Sequence, residues 1–135
     1  MRKVFADTNV VIDLLDKREL FYRDALDIFT KAYYKEIEIY ISPLTYATAS
    51  YLLRKRNKEE LRTLLANLRK LTSVAYCDET VVDESIVSEF DDFEDAMQYY
   101  SALKVNADVI ITRNIKDFAK SKITVMTPSD FLSNF

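Results

Sequence analysis

Short β-prone runs alternate with helix-spaced segments along this sequence, and that alternation limits the fold more than any other feature. Val4-Phe5-Ala6 and residues 36–41, 72–76, 109–111 and 123–126 read as strands. Between them, a helix opens at Asp7-Thr8 and runs through Asn9 to Leu15, and a second covers 21–34. Ser42 caps a third, with Pro43 in its first turn, that reaches about Arg56. Asn57 breaks it, and 58–71 forms another. Asp78 or Thr80 starts a helix toward Ser88, and Asp92 caps a long one through Val105, where Asn106 makes the turn that glycine usually makes. Thr112-Arg113-Asn114 leads into a helical turn ending at Phe118, and Thr127-Pro128 opens the last helix. Strands alternating with helices predict an α/β three-layer sandwich, a central parallel sheet with helices on both faces, in one domain spanning 1–135.

What the chain lacks narrows its chemistry. It has no histidine and no glycine, and Cys77 is its one cysteine. Ser-His and Cys-His nucleophile pairs are therefore excluded, as are imidazole-ligated zinc and a thiolate metal site. Without glycine there is no phosphate-cradling loop and no dinucleotide fingerprint. Carboxylates with a hard metal, Mg²⁺ or Mn²⁺, are the main catalytic tools left. A lone cysteine excludes an internal disulfide and fits a reducing compartment, so the cytoplasm is the expected location. No apolar run approaches the length of a membrane span, and none is expected to engage a membrane. The net charge of −3 weighs weakly against bulk nucleic-acid affinity, although local patches override it.

FDDFEDAMQYY, from Phe90 to Tyr100, crowds Asp91, Asp92, Glu94 and Asp95 at the start of a helix. Capping and helix-dipole complementarity account for Asp91, Asp92 and Glu94 individually. Sites in open parallel sheets form beyond the carboxyl ends of the strands, where the strand order reverses. Asp7 follows the first strand, while Asn114 and Asp117 follow the strand 109–111. Asp92 and Asp95 open the helix that feeds that strand. Asp7, Asp95 and Asp117 are therefore expected to converge, with Asp92 and Asn114 nearby and Thr112 and Asn9 in support. Like charges at one edge repel unless a cation neutralises them. Arg113 and Lys116, beside the last acid, are candidates for substrate phosphate.

VFADTNVVIDLL, ISPLTYATASYLL, DFEDAMQYYSAL and VIITRNIKDF, in this order and over nearly the whole chain, resemble the PIN domain family and its small bacterial VapC-type toxins. The resemblance implies a metal-dependent endoribonuclease that cuts single-stranded RNA by metal-activated water, often as the toxin of a toxin–antitoxin pair. It also implies a homodimer and an antitoxin partner. By position, Asp7 matches the family's first acid and Asp95 its third, both placed to hold the metal, and the fourth falls at Asn114 or Asp117. The second acid is replaced. Where the family pattern carries Glu, the run Ser42-Pro43-Leu44-Thr45-Tyr46-Ala47-Thr48 ends in a neutral hydroxyl. Weaker metal binding is expected, or compensation by Asp92 or Glu94. Thr48 thus keeps open a rival reading, a non-catalytic PIN module that binds RNA or a protein.

Overall fold

The computed structural model describes residues 1–135. Five strands, β1 (Arg2–Ala6), β2 (Ile37–Ile41), β3 (Ser73–Val74), β4 (Val109–Ile111) and β5 (Thr124–Met126), form one sheet in the order β3-β2-β1-β4-β5. Every pairing is parallel. The helices are α1 (Thr8–Leu15), α2 (Tyr22–Tyr33), α3 (Pro43–Leu52), α4 (Lys58–Leu71), α5 (Glu79–Ile86), α6 (Phe93–Lys104) and α7 (Pro128–Ser133), with a 3₁₀ turn at Ile115–Phe118. No helix is long and apolar enough to cross a membrane. The expected α/β sandwich with a central parallel sheet is the fold observed.

Side-chain alternation along the strands divides the core in two. Val4, Ala6, Ile37, Ile39, Ile41, Val109 and Ile111 face one layer, where they pack with Val11 of α1, Ile28 and Phe29 of α2, Ala49 of α3, Leu68 of α4 and Phe131 of α7. Phe5 and Ile110, one residue out of phase, face the other, against Tyr99 and Ala102 of α6 and Phe118. Full burial of a side chain such as Phe5 contributes about 1.5–3 kcal/mol. The chain leaves β1 on one side to build β2 and β3, then crosses back to build β4 and β5 on the other. The switch point is the crevice between β1 and β4, which places Asp7 and Thr112 side by side.

Local signals behave as their chemistry dictates. Asp7, Ser42, Asn57, Asp78, Asp92 and Thr127 each cap the following helix by accepting a backbone N–H. Asn106 adopts φ 57°, the left-handed turn expected of it, and Lys17 and Lys35 make two more such turns without glycine. Two boundaries differ from expectation. The third helix stops at Leu52 rather than near Arg56, because Asn57 belongs to the next helix, accepting from Glu60 N at 2.8 Å. The strand expected over 72–76 shrinks to Ser73–Val74. Thr72 is used to close α4: its Oγ1 donates to Leu68 O at 2.8 Å, and its carbonyl accepts from Arg69 at 2.9 Å.

Candidate active site

Asp7 ends β1 and caps α1, and both of its carboxylate oxygens are occupied. Oδ1 accepts from Thr8 N at 2.9 Å and Gln98 Nε2 at 3.2 Å. Oδ2 accepts from Thr112 Oγ1 at 2.8 Å and Asn9 Nδ2 at 3.3 Å. Burial pushes its pKa above the ordinary value, and the bonds from Thr112, Gln98 and Thr8 oppose that rise. Asn9 also donates to Thr112 Oγ1 at 3.2 Å and accepts Arg113 N at 3.2 Å, so it ties α1 to the loop after β4. Thr112 Oγ1 in turn accepts Asn114 N at 3.0 Å.

The helix α6 brings the second group of acids. Asp92 caps it by accepting Asp95 N at 2.9 Å, while Asp91 and Glu94 are exposed. Asp95 is pushed up to about 7, first by partial burial and then by the charges of Asp92, Asp117, Asp7 and Glu94. Carboxylates that raise one another's pKa in this way share a single electrostatic environment. A cavity of about 370 Å³ is lined by all five of these acids together with Thr8, Asn9, Gln98 and Asn114. Asp7, Asp95 and Asp117 thus border one space at the β1–β4 edge.

The cations divide. Arg113 forms a fork on Asp13, with Nε at 2.7 Å from Oδ2 and a terminal nitrogen at 3.3 Å from Oδ1, and its guanidinium lies 3.9 Å above the Phe21 ring. It does not line the acid cavity. Lys116 lines an adjoining hollow that shares Asp92, Asp95 and Asp117 with the main cavity. Two polar lining residues escaped the sequence reading. Gln98 is 1% exposed and bridges Asp7, Thr8 Oγ1 at 3.1 Å and Thr45 Oγ1 at 3.2 Å, while its Oε1 has no partner. The signal for it was a lone amide one turn after Asp95, on the helix face that carries Ala102. Arg18 is the other, a loop cation on the cavity wall that nothing in its sequence context marks. Thr48 is half-buried and does not line the cavity, though Thr45 before it joins the network and Leu52 after it lines the wall.

The PIN domain family model matches residues 3–116. The chain belongs to the PIN domain family. Ribonuclease VapC1 of Aquifex aeolicus (strain VF5) is 25% identical over 134 residues, covering 96% of this chain and 92% of its own. Among solved structures, a toxin-antitoxin complex from Klebsiella pneumoniae matches with TM-score 0.70 at 26% identity, covering 93% of this chain and 97% of that one. VapBC2 from Rickettsia felis, bound to a DNA fragment from its promoter, matches with TM-score 0.65 at 18% identity over 93% of this chain and 98% of that one.

In this PIN domain the carboxylate and amide oxygens around the cavity are donors that suit a hard divalent cation such as Mg²⁺ or Mn²⁺. No three acidic side chains stand close enough together to form a ready-made cage. Mg²⁺ dehydrates reluctantly and is commonly held by one or two carboxylates with its remaining positions hydrated, so the spacing does not conflict with the chemistry. Five carboxylates on one cavity wall are the arrangement that a cation would neutralise.

Proposed function

We propose that the protein is a metal-dependent endoribonuclease that cuts single-stranded RNA, the toxin of a toxin–antitoxin pair. The observation that carries this reading is the convergence of Asp7, Asp95 and Asp117 on one cavity at the switch point of the sheet. Asp7 and Asp95 would hold Mg²⁺ or Mn²⁺, with Asp92 in support. A divalent ion there supplies charge that acidifies water and offsets the developing charge of an in-line phosphoryl displacement. The chain's own contribution is orientation. Thr112, Gln98, Thr8 and Asn9 hold the Asp7 carboxylate, Asn9 and Thr112 hold the loop carrying Asn114, and Asp117, exposed on that loop, is positioned to accept a proton. Lys116 stands where a substrate phosphate would pass. The toxin-antitoxin complexes among its structural neighbours support an antitoxin partner; that the protein works as a homodimer in the cytoplasm is part of the same proposal.

The test is cleavage of single-stranded RNA in Mn²⁺ by the parent and by Asp7→Asn. Asn caps a helix as well as Asp does, so folding should survive. Activity should fall by a factor on the order of 10² or more, the scale of one group acting in the transition state. Asp95→Asn should behave alike, and Asp91→Asn should cut like the parent. The second reading, a non-catalytic module, is favoured by Thr48 and by the lack of a ready-made cage. A parent protein inert on every single-stranded RNA in Mn²⁺ would establish it.

A further inference from the structure

Resting on the ribonuclease reading, we propose that a single RNA strand crosses the acid cavity with Arg18 contacting its phosphate at one end and Lys116 with Lys120 at the other. Five carboxylates line the cavity, and Arg18 is its one cation. The adjoining hollow, which shares Asp92, Asp95 and Asp117, is bordered by Lys116 and Lys120. One cation therefore lies on the acid cavity itself and two on the hollow that adjoins it. A polyanion crosses a carboxylate-lined cleft only where neighbouring phosphates find positive charge.

The state of each cation fits this use. Arg18 stands 3.9 Å from both Asp13 and Asp16 and is 41% exposed, at the limit of ion pairing, so its guanidinium is available. Arg113 is not, since its fork is spent on Asp13 and its face on Phe21. Lys120 meets only Glu89 at 3.9 Å, with both side chains exposed. Leu52, 47% exposed, lines the same cavity as Arg18 and offers an apolar surface against which a base can rest.

The experiment measures anisotropy of a short fluorescein-labelled single-stranded RNA of mixed sequence on the intact protein in EDTA, over a range of salt. Arg18→Ala and Lys120→Ala should each weaken binding several-fold and lower the salt slope by about 0.7, the value for one phosphate contact on a single strand. Arg18→Lys should keep most of the affinity, and Arg62→Ala, on the exposed side of α4, should change nothing. Unchanged affinity and slope in Arg18→Ala overturns the strand path, as does weaker binding at an unchanged slope. RNA binding with these dependences but no cleavage in Mn²⁺ keeps the path and removes the ribonuclease reading. Cleavage by the parent with an unaltered KM in Arg18→Ala does the reverse, and no RNA binding at all removes both.

Discussion

Gln98 donates to Asp7 Oδ1 at 3.2 Å, and this one amide joins residues 91 positions apart in the chain. The same nitrogen reaches Thr8 and Thr45, so β1, α1, α3 and α6 meet on it. Gln98→Met keeps the volume but withdraws the donor from buried acceptors. A loss of about 1–3 kcal/mol is expected, the cost of leaving buried polar groups unsatisfied. Denaturant unfolding measures it, and an unchanged midpoint would show that the amide does not hold the carboxylate.

Asp95 sets a pH dependence whose sign follows from its shift. Its ordinary value is 3.8 and its native value about 7, so between these the folded protein keeps a proton that the unfolded chain has lost. The stability this gives is complete below 3.8, declines as pH rises, and is gone above about 7. In metal-free buffer the melting temperature of the parent should fall relative to that of Asp95→Asn across this window. Parallel pH profiles for the two proteins would contradict the assignment. Mn²⁺ requires the charged form, so its affinity should climb with pH up to about 7 and level off beyond.

Thr48 shares a stripe of α3 with Thr45 and Leu52, which touch the site on either side of it. A longer acidic side chain at that position is expected to approach the cavity that the hydroxyl does not line. Thr48→Glu should tighten Mn²⁺ binding and enlarge the thermal shift that Mn²⁺ produces. Titration calorimetry reporting the parent's affinity would separate Thr48 from the metal's surroundings.

Asp13 is 1% exposed and carries the Arg113 fork. Asp13→Asn strands a largely buried guanidinium, at a cost of about 3–5 kcal/mol. Adding Arg113→Met should recover much of it, because both charges are then gone. A double-mutant cycle giving additive losses would deny the pair its role in fastening the loop after β4.

Much of this was readable in advance because the signals were local. The apolar run at β4, the caps at Asp92 and Ser42 and the left-handed Asn106 each depend on a few neighbouring residues. The convergence of Asp7, Asp95 and Asp117 followed from topology, since parallel strands deliver their carboxyl ends to one edge. Gln98 and Arg18 were hidden for different reasons. A buried amide is recognised by the partners the fold brings to it, and these lie on three other elements. Arg18 sits in a loop, where exposure and direction follow no period. The fate of Arg113 was equally unreadable, because its partner lies 100 positions away.

The bond from Thr112 to Asp7 spans 105 positions, and β1 gains its β4 neighbour only through residues 109–111. Loop closure over such a separation comes late, after the local helices have formed. Thr8 and Asn9 can reach the Asp7 carboxylate as soon as α1 forms, but the Thr112 hydroxyl, 105 positions away, joins them only when the intervening chain is in place. Fragments cut short before Thr112 possess the first acid but none of the hydroxyl that fixes it. A polypeptide terminated before Thr112 should therefore display the first acid without the ordered carboxylate of the whole domain, so the site is completed in one late step rather than assembled by degrees.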